Sequence, residues 1–395
     1  MKKYFILIGV VAAMYSCDND IYDNIKEMVD TEKVYPAGYN QVLVSQMGLA
    51  GENRVEIDLN GGNRDTIFLP RAVRTVVEYD DTIVKFTPAR TWVSIEGLTL
   101  PQTYNFKIYT EDEFGNKSVP VMASGKPFTA ADKGALIVIP TVSVSTSQAA
   151  IVCNATNIYT FCGLSYNYTD KDNVEHSDTI DTPSFLLSNL EIDHITQVNI
   201  AYYLRPKDAI DTVLVADTIN VKTRTQAEFN AYMSETQPFM GPHTVSFAAP
   251  CDIRAYDFDT ANGFPTGEGK AFHDNEPGRQ GGDSYRVDNG DTGSAAVEEY
   301  AYNPGCVGWV IAGEWLVYTI DVANAGDYSI ETQHGGVSQY HIEIDMLNIS
   351  GIVSSVNGWA MAIPKVTLTA GPHKIKYYVE ANGTNFFGIQ ITHVP

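Results

Sequence analysis

Positive charge is scarce in this chain. Twenty-six Lys and Arg stand against 48 Asp and Glu in 395 residues, a net charge of −22. Without a basic surface to neutralise phosphates, nucleic acid and anionic lipid headgroups are excluded as electrostatic partners. Cysteine is also sparse, at five, and no Cys-x-x-Cys or Cys/His cluster has zinc-ligand spacing. Long apolar runs are missing after the first 17 residues, so no later segment reads as a membrane-crossing helix. Nucleophile-elbow, zinc-protease and phosphate-loop motifs are all lacking. Asp291-Thr292-Gly293-Ser294 has the letters of an aspartic-protease motif, but that chemistry needs two aspartates sharing a proton. A single copy behind Asp288-Asn289-Gly290 reads as a turn.

What the chain does have is material for strands. Hydrophobic residues make up 44% and charged residues 19%, with 23 Tyr and 31 Gly among Val-, Ile- and Thr-rich runs. That composition describes an all-β globular protein, and the length implies two or three domains. The start is different. Lys2 and Lys3, an apolar stretch from Tyr4 to Met14, and Ser16-Cys17 read as a targeting segment over residues 1–17. A small residue directly before cysteine resembles a bacterial lipoprotein signal, with Cys17 as the lipidated residue. Asp18-Asn19-Asp20 is similar to the acidic signal that sends Bacteroidetes lipoproteins to the outer face of the outer membrane. The expectation is therefore a lipid-anchored protein on the cell surface, with outer-membrane lipid as a partner through acylated Cys17. Cys153, Cys162, Cys251 and Cys306 remain, and three disulfide pairings of these four stay open.

Residues 18–36 are polar and acidic and read as a tether. Alternating runs at Val55–Leu59, Val73–Tyr79, Ile83–Thr87 and Tyr104–Thr110 predict a sandwich over 37–130. Tyr104-x-Phe106-x-Ile108-x-Thr110-x-Asp112-x-x-Gly115-Asn116-x-Ser118-Val119-Pro120 is similar to a Bacteroidetes domain of unknown function with a fibronectin type III-like module. That resemblance implies no chemistry. A second sandwich is expected over 131–225, with strands at Leu136–Ile139, Ala149–Cys153, Leu164–Tyr168, Val198–Leu204 and Val213–Val221. The β rhythm breaks over 226–244, where one or two helical turns from Gln226 and then Pro238, Gly241 and Pro242 mark a linker.

The last segment, 245–395, carries the chemistry. Val307 to Val322 reads as a strand, a tight Ala312-Gly313 turn and a second strand. From Leu316 on, Leu316, Tyr318, Ile320 and Val322 share one face, which leaves Trp315 on the other. Upstream come Gly267-Glu268-Gly269-Lys270-Ala271-Phe272-His273-Asp274 and Gly278-Arg279-Gln280-Gly281-Gly282-Asp283-Ser284-Tyr285-Arg286. With Gly313-Glu314-Trp315-Leu316-x-Tyr318-Thr319, Ala325-Gly326-x-Tyr328 and Leu368-x-Ala370-Gly371-x-His373, this segment resembles carbohydrate-binding module family 6. The resemblance implies a jelly-roll β-sandwich that binds polysaccharide without cleaving it. It implies a loop-end cleft with aromatics at Trp309 and Trp359, an amide at Asn385 and an acidic group at Glu298. It also matches Trp315 to a tryptophan that forms a second cleft on a sheet face in some members. Flat aromatic rings suit such work, because they bury the C–H faces of sugar rings while polar groups meet the hydroxyls. The family also usually carries a Glu-x-Glu calcium site on its first strand. Here Arg254-Ala255-Tyr256 stands in its place, and a guanidinium cannot ligate calcium, so the structural calcium is not expected there. Asp257, Asp259 and Asp274 are the acidic residues that could form a different calcium site, and no other cofactor is expected.

Taken together, the sequence predicts two fibronectin III- or immunoglobulin-like sandwiches followed by a jelly roll. It predicts a non-enzymatic surface lipoprotein that captures polysaccharide or oligosaccharide for partner hydrolases and a glycan transporter. The competing expectation is an adhesin or structural lipoprotein that binds a host glycan or protein, with a glycosidase a distant third. Aromatic stacking accepts many sugars, so the identity of the glycan is not written in these residues.

Overall fold

The computed structural model describes residues 35–64, 69–153, 156–239, 241–261, 267–275 and 305–395, and the backbone of 298–300. Cys17, the tether and the Asp291-Thr292-Gly293-Ser294 turn lie outside these residues, as do residues 276–297 of the long loop. The described chain is nearly all β, and no helix in it is long and apolar enough to cross a membrane. It divides into two compact units, one running to Leu136 and including Arg205–Val213, the other comprising Ile137–Leu204 and Leu214–Pro395.

In the first unit a three-stranded sheet (Leu49–Gly51, Arg54–Asp58, Trp92–Glu96) accompanies a four-stranded one (Thr82–Phe86, Arg74–Tyr79, Tyr104–Glu111, Val121–Gly125). Strict alternation makes this possible: Val55 and Ile57 point inward from one sheet, and Val77, Phe106 and Ile108 from the other. The polar residues between them face out, as a half-buried antiparallel sheet requires.

The second unit opens with another sandwich of four strands (Glu175–Ile180, Tyr159–Thr169, Ile195–Pro206, Val213–Lys222) and three (Ser184–Leu187, Ala149–Val152, Thr141–Val144). Leu136–Ile139 is not a strand; the first one here begins at Thr141. Leu136 and Val138 are buried while Ile137 and Ile139 are exposed, so the alternation read from the sequence is present although the segment is not a strand. Ala149–Val152 is buried on both faces. Its outer side lies near Leu347–Asn348 and Gly351 of the C-terminal sandwich, where the Asn348 N–H donates to Ser143 Oγ at 2.8 Å.

The C-terminal sandwich sets a seven-stranded sheet against a six-stranded one. The larger is built on His243–Val245, Trp315–Val322, Gly371–Ala381 and Gln339–Ile344, with the short strands Phe272–His273, Leu347–Asn348 and Val353–Ser354 at its margins. The smaller runs Glu298–Tyr300, Cys306–Gly308, Phe386–His393, Gly326–Gly335, Asn357–Leu368, and Cys251–Arg254 also pairs with Phe386–His393. Leu316, Tyr318, Ile320 and Val322 all enter the shared core, beside Tyr340 and Tyr377 of the same sheet and facing Tyr328 and Phe386 of the smaller one. The alternation read from Leu316 onward is therefore the structural one. The hairpin is not: Cys306–Gly308 belongs to the smaller sheet and Trp315–Val322 to the larger. A run of apolar residues with a glycine turn suits a crossing between sheets as well as it suits a hairpin.

Residues 226–244 carry structure of their own. Gln226–Ser234 is a helix closed by a capping box, in which Thr225 Oγ1 accepts from the Glu228 N–H and the Glu228 carboxylate accepts from the Thr225 N–H. Lys374 Nζ donates to the Tyr232 carbonyl at 2.5 Å, and Thr236 Oγ1 donates to Asp259 at 2.7 Å. His243–Val245 then runs parallel to Ile320–Val322.

Candidate functional site

One row of the smaller sheet gathers most of the expected residues. Glu298 pairs with Gly308, and Val307 pairs with Phe386, which sets Asn385 beside Gly308. The Asn385 carbonyl then accepts from the Gly335 N–H at 2.8 Å, and Gly335 pairs with Asn357. Four strand pairings thus place Glu298, Gly308, Asn385, Gly335 and Asn357 in a line across one end of the sheet. Trp309 follows Gly308 directly, in the left-handed region at φ 57° and 63% exposed. A non-glycine residue with positive φ departs from the preferred backbone, and its neighbours must hold it there. Two do so here. Glu314 is buried, and its carboxylate accepts from the Ile311 N–H at 2.8 Å and the Asn275 N–H at 3.2 Å. Gly383 packs so closely that a Cβ on it would lie 1.1 Å from the Val310 carbonyl oxygen. The Trp309 and Asn385 loops are thereby locked edge to edge.

Trp359 stands on the same sheet but not on the same loops. It pairs with Gln333, two residues back from the row, and is 43% exposed. Thr332 and His334 point into the core, so Gln333 and its partner Trp359 point outward. Two strand spacings, about 10 Å, separate the Trp359 and Asn385 strands. Between them Gly335 has no side chain, and the Phe387 ring lies where a Cβ on Gly335 would touch it, at 3.3 Å. Phe387 and Gln333 therefore border the site beside the residues the sequence singled out. Phe387 reaches the outer face because the register slips between Gln333 and His334, an irregularity no alternation pattern announces. Glu298 joins the row through its backbone; its side chain lies outside the described residues.

Trp315 belongs to the other sheet. On its outward face a second row crosses four strands in register: His273, Trp315, Tyr378 and His341. His341 stacks on Tyr378 with ring centres 4.7 Å apart, and Lys376 Nζ sits 5.1 Å from the Trp315 ring centre. His341 and Lys376 both reach Glu343, at 3.2 and 2.9 Å. Burial resists ionisation of that carboxyl, but these two partners outweigh it and hold its pKa down at about 2. On His273, the hydrogen bond with Glu268 raises the imidazole pKa. The row is an aromatic strip edged by charges that are already paired. A small hollow is lined by His273, Val307, Gly308, Glu314, Trp315 and Tyr377, residues of both sheets and of the crossing that joins them.

The acidic residues upstream do not converge. Asp257 is taken by Arg254, and Asp259 is buried and accepts from Thr236 Oγ1 and from Thr319 Oγ1 and N–H. Burial pushes the Asp259 carboxyl up, against the pull of those donors. Among the described residues no group of three His, Cys, Asp or Glu side chains is placed to hold a metal ion. Cys153, Cys162, Cys251 and Cys306 form no disulfide. Cys153 and Cys251 are pushed up to about 11 by burial, which makes them poor nucleophiles.

No protein-family model matches the chain, and no curated protein matches it. Among solved structures it is similar to a family 35 carbohydrate-binding module from Clostridium thermocellum, at 14% identity over 37% of this chain and 100% of that one, with a TM-score of 0.25. A family 6 module of lichenase 5A from Cellvibrio mixtus, solved with cellotriose, is 23% identical over 25% of this chain and 86% of that one, at a TM-score of 0.20. A two-domain fibronectin type III segment of chicken tenascin is 14% identical over 48% of this chain and 100% of that one, at 0.21. Each of these likenesses spans less than half of the chain.

Proposed function

We propose that the C-terminal sandwich is a non-catalytic polysaccharide-binding module, displayed on the cell surface by a lipid on Cys17. The observation that carries the reading is the row at the end of the smaller sheet. There an exposed indole, Trp309, stands beside an exposed amide, Asn385, with a second exposed indole, Trp359, on the neighbouring outward face. Flat apolar rings next to a hydrogen-bonding amide suit a sugar, whose faces are apolar and whose edges are hydroxyls. Scarce positive charge favours neutral glycans over uronate or sulfate polymers. The natural role of such a protein is to hold polymer at the surface for hydrolases and a transporter.

The direct test is retardation of the full chain on gels containing plant, algal and host polysaccharides. Retardation by at least one neutral glycan is expected, with no reducing sugar released after prolonged incubation. Sugar release would make the protein an enzyme; retardation by none of the panel would favour an adhesin whose ligand is protein. The anchor is tested separately. Expressed with its first 17 residues, the chain is expected to fractionate with membranes, and Cys17→Ala to move it into the soluble fraction. A Cys17→Ala chain that stays with the membrane would sink the lipoprotein reading.

A further inference from the structure

The C-terminal sandwich carries a cation of its own making. Arg254 ends the strand Cys251–Arg254, and the 3-10 turn Ala255–Asp257 follows at once. That turn swings Asp257 back under the guanidinium, which donates from Nε to Oδ2 at 2.8 Å and from Nη2 to Oδ1 at 3.0 Å. This is the two-pronged geometry in which arginine binds a carboxylate most firmly. Asp257 is only 4% exposed, so its charge needs a counter-charge close by. The guanidinium carbon also sits 4.7 Å from the centre of the Tyr256 ring, which holds the fork in place from below. Tyr256 is itself fixed: a Cβ on Gly305 would run into its ring at 2.0 Å.

A structural calcium ion would answer the same need, but it would bind carboxylate oxygens at about 2.3–2.6 Å. Here both oxygens of Asp257 already face a positive group. Arg254 and Tyr256 stand where the family resemblance implies the calcium-ligating carboxylates, so the residues present do not fit the ion. We propose that the Arg254–Asp257 pair, seated on Tyr256, replaces that ion, and that the fold of this sandwich is independent of divalent cations. The strand and turn obtain from one side chain what a bound metal would otherwise supply. This inference stands apart from the glycan reading, because it concerns folding alone.

Three of the four tryptophans, Trp309, Trp315 and Trp359, lie in this sandwich, so indole fluorescence reports its unfolding. The full chain, dialysed against chelator, is melted in EDTA and again in millimolar calcium chloride. The two Tm values are expected to agree within about 1 °C; a Tm several degrees lower in EDTA overturns the proposal. Arg254→Gln leaves Asp257 without its counter-charge and is expected to lower Tm by about 4–8 °C in both buffers. An unchanged Tm would show that the pair carries no load. Arg254→Glu sets a second carboxylate opposite Asp257, and in that variant calcium is expected to raise Tm. No response there would overturn the claim that the guanidinium holds a cation's place. The parent comparison needs no substitution, so it decides the matter even where a variant does not fold.

Discussion

Replacing Trp309 or Trp359 with alanine is expected to weaken binding to the glycan that retards the chain most by about 10- to 100-fold each. A buried indole face at a recognition site contributes about 1–3 kcal/mol, and 1.4 kcal/mol is a factor of ten. Neither ring fills the core: Trp309 projects from a loop and Trp359 from the outward face of a strand. Their removal should therefore leave Tm nearly unchanged, which separates lost recognition from lost folding. Asn385→Ala removes one hydrogen-bonding group and is expected to cost less, about 1 kcal/mol or fivefold. Trp315→Ala touches the other sheet, so any loss it causes should add to that of Trp309→Ala. A strongly non-additive pair would merge the two rows into one site. Undiminished retardation in both Trp309→Ala and Trp359→Ala would remove the site altogether.

Acid should weaken the same sandwich through one buried imidazole. His334 is 1% exposed, walled in by the Tyr340, Tyr377 and Phe386 rings at 4.7, 5.7 and 5.4 Å. Its Nε2 meets the Tyr377 hydroxyl at 3.2 Å, and its Nδ1 has no partner among the described residues. Burial pushes its pKa down from 6.5 to about 4. The depressed pKa fixes the sign. The unfolded chain takes up this proton once pH falls below about 6.5, while the folded chain refuses it until about 4. The stability is complete above the unfolded value and drains away between the two, by about 3 kcal/mol at pH 4. His373 works in the opposite sense. Burial lowers its pKa, but the bond to Asp345 outweighs burial and raises it, so that contribution is present in acid and lost as pH rises. Comparing urea unfolding of the parent with that of His334→Gln, from pH 7 to pH 4, isolates the one imidazole. The parent is expected to lose about 3 kcal/mol more than the variant. Parallel stability profiles would mean that His334 takes its proton without opening the core.

How much of this was legible in the sequence depends on range. The inward set from Leu316 to Val322 could be read directly, because strand parity is local and the core needs every second residue. Trp309, Trp359, Asn385 and Glu298 came from resemblance, since they are up to 87 positions apart in the chain and no spacing rule links them. What joins them is strand order, and that is decided by pairing between distant segments. Phe387 escaped notice because a slipped register reverses parity for one residue, and Gln333 because only its pairing with Trp359 brings it to the site. The supposed hairpin at 307–322 failed for a related reason: Glu314 within the crossing and Gly383 from another loop fix it, and neither advertises its partner. Arg254 was legible as a departure from a metal site. Its grip on Asp257 required the turn to be seen.

The fit of Gly383 against Val310 also constrains how this surface can change. With no room for even one carbon between them, the Trp309 loop and the Asn385 loop behave as a single mechanical part. An insertion or a bulky residue in either one must displace the other, so new specificities are accessible only through paired changes. Libraries that vary 309–312 alone should return mostly misfolded or inactive chains, whereas libraries that vary 309–312 and 382–385 together should contain the functional variants.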